Sequence, residues 1–192
     1  MTSTAMTETA TVLPQIISPE EYLEGEKQTT IKHEYVNGRV YAMAGASDRH
    51  GLIAGNLFAT IHSRLPDRCE VFMSDMKLHT QEANDECFYY PDILVCCDPT
   101  DKHPYYREKP ILIIEVLSHS TERIDRTEKR ERYQRIPELQ EYVLVAQDYP
   151  KVEIYRRHRA WQCEEYFIDD EFHLDSVDVT FQMSNVYRRV KY

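Results

Sequence analysis

The chain has 192 residues, 42% apolar and 29% charged, with five glycines and a net charge of −10. That length and balance describe a globular chain with a sizeable core and exclude fibrous and low-complexity classes. The acidic balance argues against a simple nucleic-acid binder, whose footprint is basic. No stretch approaches the roughly 18 apolar residues of a membrane span.

The charge is uneven. Glu164, Glu165, Asp169, Asp170, Glu171, Asp175 and Asp178 fall in a stretch without Lys or Arg, which reads as a solvated acidic surface. Basic clusters lie at residues 123–135 and at Arg156-Arg157-His158-Arg159, and their plainest reading is solvated faces. The five cysteines include no Cys-x-x-Cys pair. Cys96 and Cys97 are neighbours on an expected strand, point to opposite faces and suit burial better than bridging, as in a reduced, cytoplasmic protein.

Residues 1–15 are Thr- and Ala-rich and aperiodic, without the basic start and apolar core of a signal peptide. They read as a disordered tail before one domain over 16–192. Ser18-Pro19-Glu20-Glu21 starts a short helix, with serine as N-cap, proline in the first turn and acids at the positive end. Asn37-Gly38 between His33-Glu34-Tyr35-Val36 and Arg39-Val40-Tyr41-Ala42-Met43 marks a hairpin. Ser47 or Asp48 caps a helix carrying Leu52, Ile53, Leu57, Ile61 and Leu65, which ends before Pro66.

Strands are expected at 70–73, 76–80 and 92–97, then a polar loop with Pro99, Pro104 and Pro110. A strand over 111–117, a helix over about 124–135 and a strand over 141–145 form a parallel crossover unit. Further strands are expected at 152–156, 161–167 and 177–181. The pattern is an α/β or α+β core, a mixed β-sheet flanked by helices, without internal repeats.

The sharpest chemical feature is a pair of acids on neighbouring strands. In Ile111-Leu112-Ile113-Ile114-Glu115-Val116-Leu117, Glu115 interrupts an apolar run that reads as buried on both faces. A buried carboxylate persists only when paired, protonated or bound to a cation. Asp92 opens a second apolar strand upstream. Two such acids suit one Mg²⁺ ion, which takes oxygen ligands and needs only one or two carboxylates. Asp125, Lys129 and Tyr133 are spaced four apart and share a helix face. From it Lys129 can reach the acids and neutralise developing negative charge; the plainer account is a surface pair with Asp125.

These pieces together resemble the PD-(D/E)XK, restriction-endonuclease-like superfamily, and within it the Uma-type family common in cyanobacteria. The matching residues are Ser18-Pro19-Glu20-Glu21-Tyr22-Leu23, His33-Glu34-Tyr35-Val36-Asn37-Gly38-Arg39-Val40, His50, Tyr90-Pro91-Asp92-Ile93, Ile113-Ile114-Glu115-Val116-Leu117-Ser118, Asp125-x-x-x-Lys129-x-x-x-Tyr133, and Val143-Leu144-Val145 before Val152-Glu153-Ile154-Tyr155. The resemblance implies a restriction-endonuclease-like core and Mg²⁺- or Mn²⁺-dependent hydrolysis of phosphodiester bonds in DNA. Asp92 and Glu115 would hold the metal, with Lys129 and Glu34 completing the catalytic set.

One departure stands out. Leu117 occupies the position two after Glu115 where the superfamily carries lysine, and Lys129 is the replacement the resemblance offers. His50 matches the family's helix-start histidine, against the plainer reading of a capping or packing residue. Glu34 is otherwise an edge-strand acid beside Lys32, and Tyr133 is otherwise packing. Cutting both strands of DNA would call for a homodimer. The competing reading is a catalytically inactive nuclease fold serving as an interaction or regulatory module, which the negative charge and Leu117 favour.

There is no Gly-x-Ser-x-Gly elbow beside Ser118-His119, no zinc spacing among the histidines and no phosphate-cradling glycine loop. A two-carboxylate glycosidase would lack a carbohydrate-stacking surface around one Trp.

Overall fold

A computed structural model of the protein describes residues 16–83 and 85–192. The tail expected at 1–15 lies outside the described residues. Helix α1 (Pro19–Glu26) begins with a capping box, in which Glu21 N–H donates to Ser18 Oγ and Ser18 N–H donates to Glu21 Oε2 at 2.8 Å. Strands β1 (His33–Val36) and β2 (Arg39–Ala42) pair across Asn37 (φ 49°) and Gly38 (φ 86°). Two consecutive positive φ values are what a tight hairpin turn needs. Helix α2 (Asp48–His62) is capped by Ser47 and buries Ile53, Ala54, Leu57 and Ile61 on one stripe.

Strands β3 (Glu70–Met73), β4 (Lys77–Glu82), β5 (Asp85–Tyr89) and β6 (Ile93–Cys96) follow. The strand expected at 76–80 runs later, as Lys77–Glu82, and the one expected at 92–97 lies where expected but stops a residue short at each end. The apolar pattern does not announce β5, because Asp85 and Glu86 open it while only its second half is buried. A two-residue strand β7 (Tyr106–Arg107) interrupts the proline loop. Then come β8 (Pro110–Leu117), α3 (Glu122–Ile124), a π-helical turn (Asp125–Lys129) and α4 (Arg130–Tyr133), which run on as one composite helix. It starts two residues earlier than expected and ends two residues earlier, at Tyr133.

The chain closes with β9 (Glu141–Ala146), β10 (Lys151–Arg156), β11 (Cys163–Phe167), β12 (Glu171–Leu174), β13 (Val179–Gln182) and the short α5 (Met183–Val186). Within the acidic stretch, Phe172 and Leu174 of β12 are buried, so that segment is a strand with one core face rather than only a solvated surface.

Among the described residues three sheets replace the single one expected. The central sheet has order β11-β10-β9-β8-β6-β3 and is mixed: β8 and β9 are parallel, the crossover read from the sequence, and its other pairs are antiparallel. A second sheet has order β2-β1-β5-β4-β7, and β12 pairs with β13 alone.

Strand periodicity sorts the core. Leu112, Ile114 and Val116 join α2 and the β12–β13 ribbon in one cluster. Ile113 and Leu117 face the other side, with Leu94, Tyr89, Tyr133, Leu139 and Tyr142. Glu115 belongs to that second face by its parity. The composite helix and the second sheet cover it.

One expectation fails outright. Cys97 is disulfide-bonded to Cys69, across the paired ends of β3 and β6, and is not a free buried thiol. Alternation within one strand could not show it, because the partner comes from β3: Glu70 pairs with Cys96, and the next step of that register sets Cys69 opposite Cys97, which overturns the reduced reading for this pair. Cys87 and Cys96 are buried thiols, and Cys163 is exposed.

Candidate active site

Antiparallel pairing sets Ile93 against Ile114, and continuing that register brings Asp92 opposite Glu115. Asp92 N–H donates to Glu115 Oε2 at 3.3 Å, and Val116 N–H donates to Asp92 Oδ2 at 2.7 Å. The two acids are thus linked through the N–H groups of Asp92 and of Val116, the neighbour of Glu115, at the edge of a dry core. Glu115 is 3% exposed. Burial pushes its carboxyl well above the ordinary carboxylate range, and Asp125, Asp92 and Glu34 add to that against the pull of Lys129.

Lys129 projects from the π-helical turn into the same space. Its Nζ lies 3.2 Å from Glu115 Oε1, 3.1 Å from Glu34 Oε1 and 3.1 Å from Asp125 Oδ1, and 5.3 Å from the centre of the Tyr89 ring. Burial opposes its charge, but Glu115, Glu34 and Asp125 outweigh that and hold its pKa well above the usual lysine value. The pair with Asp125 therefore exists, but in the interior rather than on the surface. Glu34 is not an edge-strand acid either, since β1 lies between β2 and β5.

Tyr133 combines packing with a polar role: it is fully buried, and its hydroxyl donates to Glu115 Oε1 at 3.2 Å. His50, in the first turn of α2, places Nε2 3.1 Å from Asp92 Oδ2. Burial works against its protonation, but the bond to Asp92 prevails and raises its pKa. The structure thus brings Glu34, His50, Asp92, Glu115, Asp125, Lys129 and Tyr133 into one connected cluster.

Three contributors escaped the sequence reading. Tyr89 lies beneath the Lys129 ammonium. Tyr142 donates its hydroxyl to Asp125 O at 2.9 Å, a side-chain insertion of the kind that opens a helical ladder, here where the turn is π-helical. Gln147, just past β9, accepts from Ser47 Oγ at 2.8 Å, while Ser47 Oγ accepts from His50 N–H at 3.1 Å. Tyr89 adjoined the quoted Tyr90-Pro91-Asp92 and was within reach of the pattern; no local signal marks Tyr142 or Gln147.

Glu34, Glu115 and Asp125 share one lysine, with Asp92 alongside on His50, and the buried Asp125 Oδ1 has its ion pair to Lys129 but no hydrogen bond. Such a surplus of buried negative charge suits a cation. Among the described residues no group of three or more His, Cys, Asp or Glu side chains forms a ready ligand cage. Mg²⁺ does not ask for one, because it keeps several waters and takes one or two carboxylates plus substrate phosphate. Asp92 and Glu115 fit that donor set.

A mixed central sheet with facing acids on adjacent strands, followed by a helix that returns a lysine to them, defines a restriction-endonuclease-like protein of the PD-(D/E)XK superfamily. More narrowly, the chain belongs to the Uma2 family, described as "Putative restriction endonuclease", whose profile matches residues 19–184.

Two proteins of Synechocystis sp. strain PCC 6803 are similar along most of their length. The uncharacterized protein slr1290 is 36% identical over 176 residues, covering 90% of this chain and 92% of the relative. The uncharacterized protein sll1609 is 37% identical over 153 residues, covering 77% and 85%. Among solved structures, a protein of Anabaena variabilis described as "a putative nuclease belonging to DUF820" superposes with a TM-score of 0.67. That match has 17% identity and covers 83% of this chain and 91% of that one, so the two share the fold.

Proposed function

We propose that the protein is a metal-dependent endonuclease that hydrolyses phosphodiester bonds in DNA. The observation that carries this reading is the convergence of Glu34, Glu115 and Asp125, from separate elements, on Lys129, with Asp92 bonded to Glu115 beside them. Asp92 and Glu115 would hold Mg²⁺ or Mn²⁺, which in such sites polarises the phosphate and lowers the pKa of a bound water.

The protein's own groups have distinct tasks. Lys129 offsets the negative charge that builds on the phosphate oxygens as water attacks, and its burial makes that charge more effective than on a surface. Glu34 and Asp125 hold the ammonium in place. Tyr133 orients Glu115, and His50 together with Val116 N–H orients Asp92. Supporting partners of this kind fix ligand geometry and are a large part of metal affinity. Cleavage of both strands of a duplex needs two such sites, so a homodimer belongs to the proposal.

The competing reading, an inactive module, drew on Leu117 and on the net charge of −10. Lys129, 3.2 Å from Glu115, supplies a cation where Leu117 cannot, which favours the enzyme. Titration of Mn²⁺ into the protein by calorimetry tests it. Binding of about one ion per chain, as a two-carboxylate Mg²⁺-type site implies, lost in folded Asp92→Ala and Glu115→Ala variants, is expected. Undiminished binding in both variants, or none in the wild type with duplex DNA present, would overturn the metal-dependent reading.

A further inference from the structure

The basic clusters at residues 123–135 and 156–159, which the sequence leaves as solvated faces, are largely tied within the fold. Arg123 pairs with Glu128, Arg126 with Glu122 and Glu153, Arg132 with Asp85, Arg135 with Glu82 and Arg156 with Glu141. Arg157 donates to the carbonyls of Leu139, Gln134 and Ile136, beyond the end of the composite helix. Cations tied to acids or carbonyls have little left to offer a phosphate.

Unspent positive charge lies in a place the sequence reading passed over. Arg188, Arg189 and Lys191 are exposed, and among the described residues none of the three has an ion-pair partner. Their segment is held firmly. Asn56 of α2 donates to Val186 O at 2.9 Å and to Arg188 O at 3.0 Å. The Tyr187 hydroxyl lies 2.8 Å from both Ala146 O and Lys151 O, to either of which its one proton can be donated, and accepts from Lys151 N–H at 3.0 Å, which fastens the segment to the β9–β10 turn.

From those anchors the chain runs back along α2 to its first turn, where Arg49 sits 5.6 Å from the centre of the Tyr192 ring. Arg49 is the residue before His50, which touches Asp92. The local acids are Asp48, whose Oδ1 accepts from Arg49 N–H at 2.8 Å, and Asp148, shared between Arg49 and His119 at 3.5 Å each.

We propose that Arg188, Arg189 and Lys191, with Arg49 at the near end, form a phosphate-binding track that leads the backbone of duplex DNA to the Asp92–Glu115 site. It rests on the nuclease reading for what lies at the track's end. The track explains how a chain with a net charge of −10 engages a polyanion: the local field at the site counts, not the total. Duplex DNA is favoured over an anionic lipid surface because the track ends at a recessed carboxylate cluster. A headgroup layer could not enter that site.

The test is metal-free binding of a fluorescently labelled DNA duplex, followed by anisotropy over a range of salt. Wild type is compared with Arg188→Glu/Arg189→Glu/Lys191→Glu and with a matched control, Arg123→Glu/Arg135→Glu/Arg159→Glu, which changes net charge equally. A Gln version of the track triple guards against misfolding. The track triple should bind at least about tenfold more weakly at low salt and show a log–log salt slope flatter by about 2–3, one unit per lost phosphate contact, while the control keeps the wild-type slope.

Equal loss in both triples, or no loss in the track triple, overturns the proposal. So does a loss seen with phosphatidylglycerol vesicles but not with DNA. Failure of wild type to bind the duplex also overturns it. None of these outcomes touches the metal titration, so the track and the nuclease reading fail separately.

Discussion

The ammonium of Lys129 lies 3.2 Å from Glu115 Oε1, and both groups are buried. Glu34 and Asp125 share the same cation at 3.1 Å each. Three carboxylates therefore depend on one positive charge for their place in the core.

Lys129→Met should strand those carboxylates. Breaking a buried pair by removing one partner costs about 3–5 kcal/mol, read as a lower urea midpoint at unchanged m-value. The double variant Lys129→Met/Glu115→Gln, which removes one of the stranded charges, should regain at least about 1 kcal/mol through coupling. A Lys129→Met variant as stable as wild type would show that the lysine is not the counter-ion of this cluster.

Tyr133→Phe removes one hydroxyl from a fully buried site and leaves the ring in the core. Loss of its hydrogen bond to Glu115 Oε1 should cost about 1.5–3 kcal/mol, the range for a bond to a charged group. A smaller loss, below about 0.5 kcal/mol, would mean that water replaces the hydroxyl there.

His50→Ala should leave the helix intact, because Ser47 rather than the imidazole caps α2. The Asp92 carboxylate loses its side-chain partner, and Mn²⁺ affinity should fall about 10–100-fold. Calorimetry of the folded variant reads this directly; unchanged affinity would return His50 to a packing role.

The disulfide makes a thiol count informative. Native protein without reductant should expose one reactive thiol, Cys163; unfolding without reductant should reveal three, and unfolding with reductant all five. Burial pushes the Cys87 thiol up to about 11, so in the folded protein it stays protonated and unreactive near neutral pH. Reduction should lower stability by about 3–4 kcal/mol for a loop of this length. Five thiols in protein unfolded without reductant would show that Cys69 and Cys97 are unpaired.

The chain order of elements could be read from local signals. The Ser18 cap, the Asn37-Gly38 turn, the apolar stripe of α2 and the continuous apolar runs of β6 and β8 each act over a few residues, and each appears where the pattern puts it. Glu115 declares itself because a carboxylate in a buried strand demands a partner. Asp92 follows from the antiparallel register and Lys129 from helical spacing, so the core of the site was legible.

Other features depend on contacts between residues far apart in the chain, which no local pattern encodes. Burial of β5 behind its acidic start requires the composite helix to cover it. Bonding of Cys69 to Cys97 requires β3 and β6 to pair, and neutralisation of Arg123, Arg126, Arg132 and Arg135 requires acids from several elements and from the helix's own turns. Tyr142 and Gln147 reach the site only because β9 lies parallel to β8. Sequence periodicity states which side of an element is apolar, and so determined the elements and their inner faces. Tertiary pairing, with the helix's own Arg123–Glu128 and Arg126–Glu122 contacts, decided which charges on the composite helix are tied, and it left Arg188, Arg189 and Lys191 beside α2 without an ion pair among the described residues.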